Sequence, residues 1–133
     1  MNPIGIVICN YNKKEFVLEC VQSILESKIH NFDIYVVDNA STDGSVEALE
    51  QTYGNRITIL ANKQNLGGSG GFNTGIRVVR DKGYEYYMCL DDDALVDENA
   101  IDVLYQYMEQ HEDVGMAGCR VYHRQMPDYI QQC

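Results

Sequence analysis

The sequence has 133 residues, 45% of them hydrophobic and 23% charged, which is typical of one globular domain and excludes a fibrous or disordered chain. Ten Lys and Arg against twenty Asp and Glu give a net charge of −10. That charge repels nucleic acids and anionic membranes, so we expect no nucleic-acid partner. Five cysteines without Cys-x-x-Cys spacing, and the lack of a signal-peptide pattern, predict a cytoplasmic protein with free thiols.

The first half of the chain alternates between apolar runs and helical patterns. Residues 4–9 form a short, apolar, β-branched run that predicts a strand buried on both faces, and residues 32–37 and 56–60 predict a second and a third strand. Asn12 and Glu15 have the spacing of a capping box. A helix is predicted after the first strand, with apolar positions at Val17, Cys20, Val21, Ile24 and Leu25. A short helix is predicted after the second strand, with apolar positions at Val46, Leu49 and Tyr53.

The second half continues this alternation. Residues 62–71 contain four glycines and predict a loop, after which a helix runs to a stop at Gly83. Residues 84–90 predict a fourth strand, followed by three aspartates and a helix capped by Asp97. Residues 114–121 predict a fifth strand. The apolar positions of the two helices are Phe72, Ile76 and Val79, then Ile101, Leu104 and Met108.

Strands that alternate with helices predict an α/β fold, with a Rossmann-like, mainly parallel sheet and helices on both faces. Crossovers of this type are right-handed and place every loop that follows a strand at the carboxyl edge of the sheet. Open α/β sheets bind their ligands at that edge. We therefore expect the polar segments 10–12, 38–43, 62–71 and 91–93 to gather there.

The acidic trio Asp91, Asp92 and Asp93 carries the strongest chemical signal. Two unit charges about 4 Å apart interact by about 4 kcal/mol at an effective dielectric constant near 20, so repulsion within the trio needs an offset. A divalent cation such as Mg²⁺, bound by carboxylates and substrate phosphates, would supply one. Asp91 and Asp93 can share a side of an extended chain, with Asp92 apart from them. A solvated acidic turn is the alternative.

Competing motifs do not fit. An EF-hand fails because Leu95 and Val96 occupy its fifth and sixth positions, and the glycine segment matches neither a dinucleotide fingerprint nor a P-loop. That segment either lets a ligand approach the backbone or forms a flexible turn. Asp38 follows a strand and either contacts a nucleoside or caps the next helix. Tyr11 either stacks on a base or lies on the surface.

Four segments together resemble the nucleotide-sugar-binding half of the family-2 glycosyltransferases, which have the GT-A fold. They are residues 7–12 (VICNYN), 36–44 (VVDNASTDG), 65–75 (NLGGSGGFNTG) and 90–94 (LDDDA). The long glycine segment with a triple Asp is more similar to the galactofuranosyl- and rhamnosyltransferase branch. By its order and spacing the resemblance covers residues 4 to about 119, and we treat residues 1–133 as a single domain.

The resemblance implies roles for individual residues. Tyr11 and Asp38 would hold the nucleobase, with Asn10 beside them, and Asn65 and Gly67 would line the base and ribose. Asp91 to Asp93 would be the family's Asp-x-Asp motif, with Asp93 and then Asp91 as ligands of Mn²⁺ or Mg²⁺ and Asp92 contacting the donor. The implied reaction transfers a sugar with inversion from a UDP- or dTDP-linked donor to a glycan or lipid-linked acceptor, in polysaccharide biosynthesis.

The family's general base lies well beyond the Asp-x-Asp motif, so we expect it after Cys133, in a longer protein of which this chain is a truncated part. A truncated chain would leave a sheet edge uncovered, which favours a homo-oligomer, and the full-length protein could lie at the inner membrane face. The alternative function is a nucleotide-binding or interaction module without turnover.

Overall fold

The computed structural model describes residues 1–122 and 130–132. Four strands alternate with four helices between residues 4 and 110, in the order predicted from the sequence, and a 3₁₀ turn and two short strands add to them. The elements are β1 (Ile4–Asn10), α1 (Lys14–Leu25), β2 (Phe32–Asp38), α2 (Ser45–Tyr53), a 3₁₀ turn (Gly54–Arg56), β3 (Thr58–Ala61), α3 (Gly67–Lys82), β4 (Tyr86–Asp91), α4 (Ala100–Gln110), β5 (Val121–Tyr122) and β6 (Ile130–Gln132).

Strands β1 to β4 form one sheet in the order β3-β2-β1-β4, and every pair in it is parallel. Val7 in β1 lies opposite Tyr35 in β2 and Cys89 in β4, so β1 is a central strand. Its side chains are almost all buried, which is why its sequence is continuously apolar. The predicted α/β class with a parallel sheet is confirmed.

Helices cover both faces of this sheet. Ile6 and Ile8 of β1 pack with Val17 and Ile24 of α1, and α2 and α4 add Leu49 and Ile101 to this cluster. The opposite face carries a smaller cluster, built from Val7, Tyr35, Val37, Val79 and Tyr84, where α3 lies on β1 and β2. The alternation of side chains along β1 therefore divides the core into two layers.

The glycine segment differs from its prediction as a loop, because residues 67–71 form the first turns of α3. Gly71, Gly75 and Val79 recur every fourth residue and are the buried positions of this helix. A Cβ on Gly75 would lie 2.3 Å from Val7 Cγ1, and one on Gly71 would lie 2.3 Å from Cys9 Sγ. These two glycines let the helix approach the sheet, whereas the sequence suggested only the approach of a ligand.

Two further predictions were wrong. Asn12 does not cap α1: it has a positive φ of 50° outside the helix, and the Asp43 carboxylate accepts the Lys14 N–H instead. Residues 114–120 form no strand, and the short β5 pairs antiparallel with β6 in a separate two-stranded sheet. Gly115 and Gly118 weaken this segment as a strand, since glycine has no side chain to pack.

Helix α4 contains the predicted apolar positions, of which Ile101 is fully buried. Asp97 does not cap this helix directly; its side chain accepts the Asn99 N–H, and its carbonyl accepts the Ala100 N–H in the turn before α4. Within the described part of the chain, none of the helices has the length and apolar character needed to cross a membrane.

Candidate functional site

The four polar segments lie at one edge of the sheet, as the sequence predicted. In the strand register Asn10 pairs with Asp38, Asp38 pairs with Ala61, and Asp91 pairs with Cys9. The strands therefore end together, and the loops that follow them share one rim. Burial and the negative charges of Asp92, Asp91 and Asp38 raise the pKa of the Cys9 thiol, so these carboxylates converge around the end of β1.

Two of the predicted donor-binding residues lie beneath this rim. Asn10 is 0% exposed and Asp38 is 2% exposed. Asn10 Nδ2 donates to Asp38 Oδ1 (2.9 Å), and Asp38 Oδ2 accepts the Ser41 N–H (2.8 Å). Asn10 Oδ1 is buried and has no hydrogen-bond partner among the described residues. In this structure Asn10 and Asp38 are buried under the loop that follows β2 and fix it through these hydrogen bonds.

The loops after β1 and β2 are joined to each other. We call residues 11–13 and 39–44 the loop pair. The Asn12 N–H donates to Ser41 Oγ (2.9 Å), and the Thr42 N–H donates to Asn12 Oδ1 (2.7 Å). Asp43 accepts the N–H groups of Lys14 (2.9 Å) and Ser45 (3.0 Å), so one carboxylate caps both α1 and α2.

Burial acts to raise the pKa of the Asp43 carboxyl group, but hydrogen bonds from the Ser45 hydroxyl and from backbone N–H groups outweigh it and lower that pKa. The Asp43 charge is therefore stabilised by its donors.

The acidic trio forms a turn rather than an extended strand. Asp91 ends β4, and the Ala94 N–H bonds back to the Asp91 carbonyl (3.1 Å). Asp91 and Asp93 are exposed, whereas Asp92 is only 7% exposed. Asp92 Oδ2 accepts the Tyr11 N–H (3.2 Å). The structure thus separates the buried Asp92 from the exposed Asp91 and Asp93, as predicted, although the chain here is a turn and not the extended segment on which that prediction was based.

Lys13 was not singled out from the sequence, yet it contacts this turn. Its Nζ lies 3.3 Å from Asp93 Oδ2 and 3.8 Å from Asp92 Oδ1. The Asp92 charge raises the pKa of Lys13. Burial raises the pKa of Asp92, while the Tyr11 N–H and the Lys13 charge oppose that rise.

The start of α3 brings exposed backbone to the same rim. Asn65 Oδ1 accepts the Gly67 N–H (2.8 Å), and Gly67 has a φ of 75°, which glycine adopts without strain. A Cβ on Gly67 or Gly68 would meet no described atom within 4 Å. Backbone N–H groups at a helix start attract anions, so this turn is suited to a phosphate or ribose.

An amide network that the sequence analysis missed holds this turn in place. Asn39 Nδ2 donates to the Gly67 carbonyl (3.0 Å), and Asn62 Nδ2 donates to Asn39 Oδ1 (2.9 Å). Asn62 also bonds to Thr74 Oγ1 (3.3 Å). Asn39 and Asn62 each directly follow a strand, which is the sequence signal that could have identified them.

The outward carboxylates fit a divalent cation that a substrate completes. Across residues 1–122 and 130–132, no three His, Cys, Asp or Glu side chains are arranged to hold a metal ion. Mg²⁺ needs only one or two carboxylates when phosphate oxygens and water supply the remaining ligands. Asp91 and Asp93 would provide that number, and both are exposed in the turn that follows β4 at the rim.

Comparison with known sequences identifies the family. Residues 5–133 match the family described as Glycosyl transferase family 2. The chain belongs to this family. It is 33% identical over 111 residues to the glycosyltransferase GlyG of Streptococcus pneumoniae serotype 4, an alignment that covers 82% of this chain and 36% of GlyG.

A second curated relative is a synthase of much greater length. The chain is 28% identical over 116 residues to the chondroitin synthase of Escherichia coli, an alignment that covers 86% of this chain and 16% of that enzyme. It spans little more than a third of the length of the first curated relatives that it matches.

Solved structures share the fold of this family-2 domain. Staphylococcus aureus TarS 1-349 in complex with UDP superposes with a TM-score of 0.72 at 18% identity, covering 89% of this chain and 38% of that one. A mannosyltransferase from Pyrobaculum calidifontis, in complex with GDP-Man and Mn²⁺, gives a TM-score of 0.72 at 21% identity, covering 91% and 36%. The likeness shows that the sheet and its helices have the GT-A arrangement.

Proposed function

We propose that this chain is the donor-binding part of a metal-dependent glycosyltransferase. The reaction moves a sugar from a nucleotide-diphosphate donor to an acceptor hydroxyl, with inversion at the transferred carbon. The observation that supports this proposal is the rim itself, where exposed Tyr11, the open start of α3 and the outward carboxylates of Asp91 and Asp93 lie at one edge of the sheet.

Each part of the rim has a separate role in the proposal. Tyr11 is 46% exposed and offers its ring to the nucleobase. Asn65 and the backbone at Gly67 line the base and ribose. Asp93 and Asp91 hold Mn²⁺ or Mg²⁺, and the cation when bound neutralises the charge that develops on the departing diphosphate.

The buried residues support these contacts from below. Asp38 and Asn10 fix the loop that carries Ser41, which in turn binds the backbone of the Tyr11 loop. Asp92 holds the Tyr11 backbone through its N–H. We propose that these residues position the Tyr11 ring against the nucleobase. We propose that Asp92 also contacts the donor.

We propose a UDP- or dTDP-linked donor and a glycan or lipid-linked acceptor. Among the structural neighbours, TarS has been solved with UDP and with UDP-GlcNAc, and the mannosyltransferase with GDP-Man. The extended glycine segment and the triple Asp favour a galactofuranosyl or rhamnosyl donor. A donor panel that contains UDP-, dTDP- and GDP-linked sugars separates these choices.

Calorimetry of UDP, dTDP and GDP binding, with and without Mn²⁺, tests the common premise. We expect Mn²⁺ to strengthen binding of the preferred nucleotide to the unaltered chain. Asp93→Ala should lose this strengthening, by at least about tenfold, as expected when a metal site is disrupted. Glu112→Gln, which removes an exposed carboxylate outside the trio, is the matched control. Equal metal dependence in all three proteins would refute the proposal.

Binding without turnover is the second candidate function. It is favoured by the roles assigned above, because the rim residues bind the donor and the cation and none of them is assigned as a general base. An assay for sugar transfer, or for slow hydrolysis of the donor, distinguishes the two candidates. Release of free sugar that depends on both Mn²⁺ and Asp93 supports the enzyme, and binding with no release supports the module.

A further inference from the structure

Lys13 is the residue of the rim whose contacts the proposed function leaves unexplained. It precedes α1 and reaches across to the turn after β4, eighty positions along the chain. Its ammonium group lies within 4.0 Å of both Asp92 and Asp93. Its neighbour Lys14 pairs instead with Glu15, 3.9 Å away. Two adjacent lysines thus differ in whether they contact the acidic trio.

The two carboxylates that Lys13 contacts are held differently. Asp92 is nearly buried, and the Tyr11 N–H fixes its other oxygen. Asp93 is exposed, with its side chain about half accessible. A cation that approaches from solvent therefore meets Asp93 where the lysine already lies.

We propose that Lys13 is the resident counter-cation of the acidic turn and competes with the divalent cation for Asp93. This inference rests on the proposed function, since it takes Asp93 as a metal ligand. A divalent cation bound to Asp93 repels the nearby ammonium group and weakens its contact with the carboxylate. By the same factor, the ammonium group weakens the binding of the divalent cation. Lys13 thereby offsets part of the negative charge of the turn when no metal is bound, and it lowers the affinity for metal alone.

Mn²⁺ binding to the chain without nucleotide, measured by electron paramagnetic resonance of the free ion at low salt, tests this directly. Lys13→Met should bind Mn²⁺ about 3- to 10-fold more tightly than the unaltered chain, a range set by the modest strength of partly exposed ion pairs. Lys13→Arg should stay near the unaltered value. Lys14→Met makes the same change of charge without the contact, and we expect a change of less than about twofold.

The same substitution made in an Asp93 variant tests whether the effect of Lys13 acts through Asp93. In Asp93→Asn, the further change Lys13→Met should alter the affinity for Mn²⁺ by less than about twofold, as Lys14→Met does in the unaltered chain, because the shared carboxylate is gone. Thermal unfolding in EDTA provides an independent readout: Lys13→Met should lower Tm more than Lys14→Met does, and Mn²⁺ should remove that difference.

The outcomes separate the inference from the function on which it rests. If the unaltered chain binds Mn²⁺ through Asp93, but Lys13→Met matches Lys14→Met or binds more weakly than the unaltered chain, the competition is refuted and the metal site stands. If Mn²⁺ binds only together with UDP, dTDP or GDP, and Lys13→Met does not change that, the competition is refuted and the proposed function stands. If neither the unaltered chain nor Lys13→Met binds Mn²⁺ with or without these nucleotides, the metal premise of the proposed function fails and the inference fails with it.

Discussion

The close approach of α3 to the sheet predicts a large effect for one added methyl group, Gly75→Ala. The new Cβ would lie 2.3 Å from Val7 Cγ1 and 3.0 Å from Val37 Cγ2. Carbon atoms in contact normally lie about 3.5 to 4.0 Å apart, so α3 must move outward by about 1.2 Å or more. Val7 and Val37 are fully buried, which prevents them from yielding instead.

The size of the effect follows from two opposing terms. Overpacking of a core typically costs about 1 to 3 kcal/mol, and this overlap places Gly75→Ala at the upper end. Replacing a glycine within a helix by alanine recovers about 1 kcal/mol. We therefore expect Gly75→Ala to lower the free energy of unfolding by about 2 kcal/mol.

Gly68→Ala is the matched control within the same helix. Its Cβ would meet no described atom within 4 Å, so the variant should gain up to about 1 kcal/mol. Urea unfolding followed by circular dichroism gives both values from the shift in midpoint at constant slope. The argument from close packing would be refuted if Gly75→Ala were as stable as Gly68→Ala.

Two further predictions concern single polar groups. Asp43→Asn should lower the free energy of unfolding by about 1 to 2 kcal/mol at pH 7, since one carboxylate caps two helices. The pKa of Asp43 is lowered by folding, so its stabilisation is present above the unfolded value, and urea midpoints of the two proteins should converge as the pH falls through the folded pKa. A gap independent of pH would contradict this. Tyr84→Phe removes the hydroxyl that donates to Asp33 Oδ2 (2.6 Å) and should cost about 1 to 2 kcal/mol in thermal unfolding, whereas exposed Tyr87→Phe should cost little.

The parts of the fold with a strong apolar period could be predicted from the sequence. β1 and β2 are largely apolar runs because both of their faces are covered. In α1 the buried positions are Val17, Cys20, Val21 and Ile24, four of the five that the spacing gave. Such segments are predictable because burial alone selects their residues.

Segments that pack closely because they contain glycine could not be predicted in the same way. Gly71 and Gly75 occupy the sheet-facing stripe of α3, but glycine carries no hydrophobic signal and has a low helix propensity. The sequence therefore suggested a loop. The close fit to Val7 and Cys9 that makes glycine necessary exists only once the helix lies on the sheet.

The candidate site also has features that could be predicted from the sequence and contacts that could not. Its location at the carboxyl edge follows from strand order. The exposure of Asp91 and Asp93 agrees with the prediction, but the chain there is a turn and not the extended segment that the spacing argument assumed. The contacts of Lys13 with Asp92 and Asp93 join residues eighty positions apart, and the bond from Asn12 to Ser41 joins two different loops. Local pattern carries no information about such pairs, so they appear only in three dimensions.

The hydrogen bonds within the loop pair have a consequence for the entropy of ligand binding. Asn12 and Ser41 connect two segments that would otherwise order separately, and Asp43 fixes both to helix starts. A ligand that rests on Tyr11 therefore meets a backbone that folding has already immobilised. Binding of such a ligand therefore costs less conformational entropy in the protein, which makes the affinity higher.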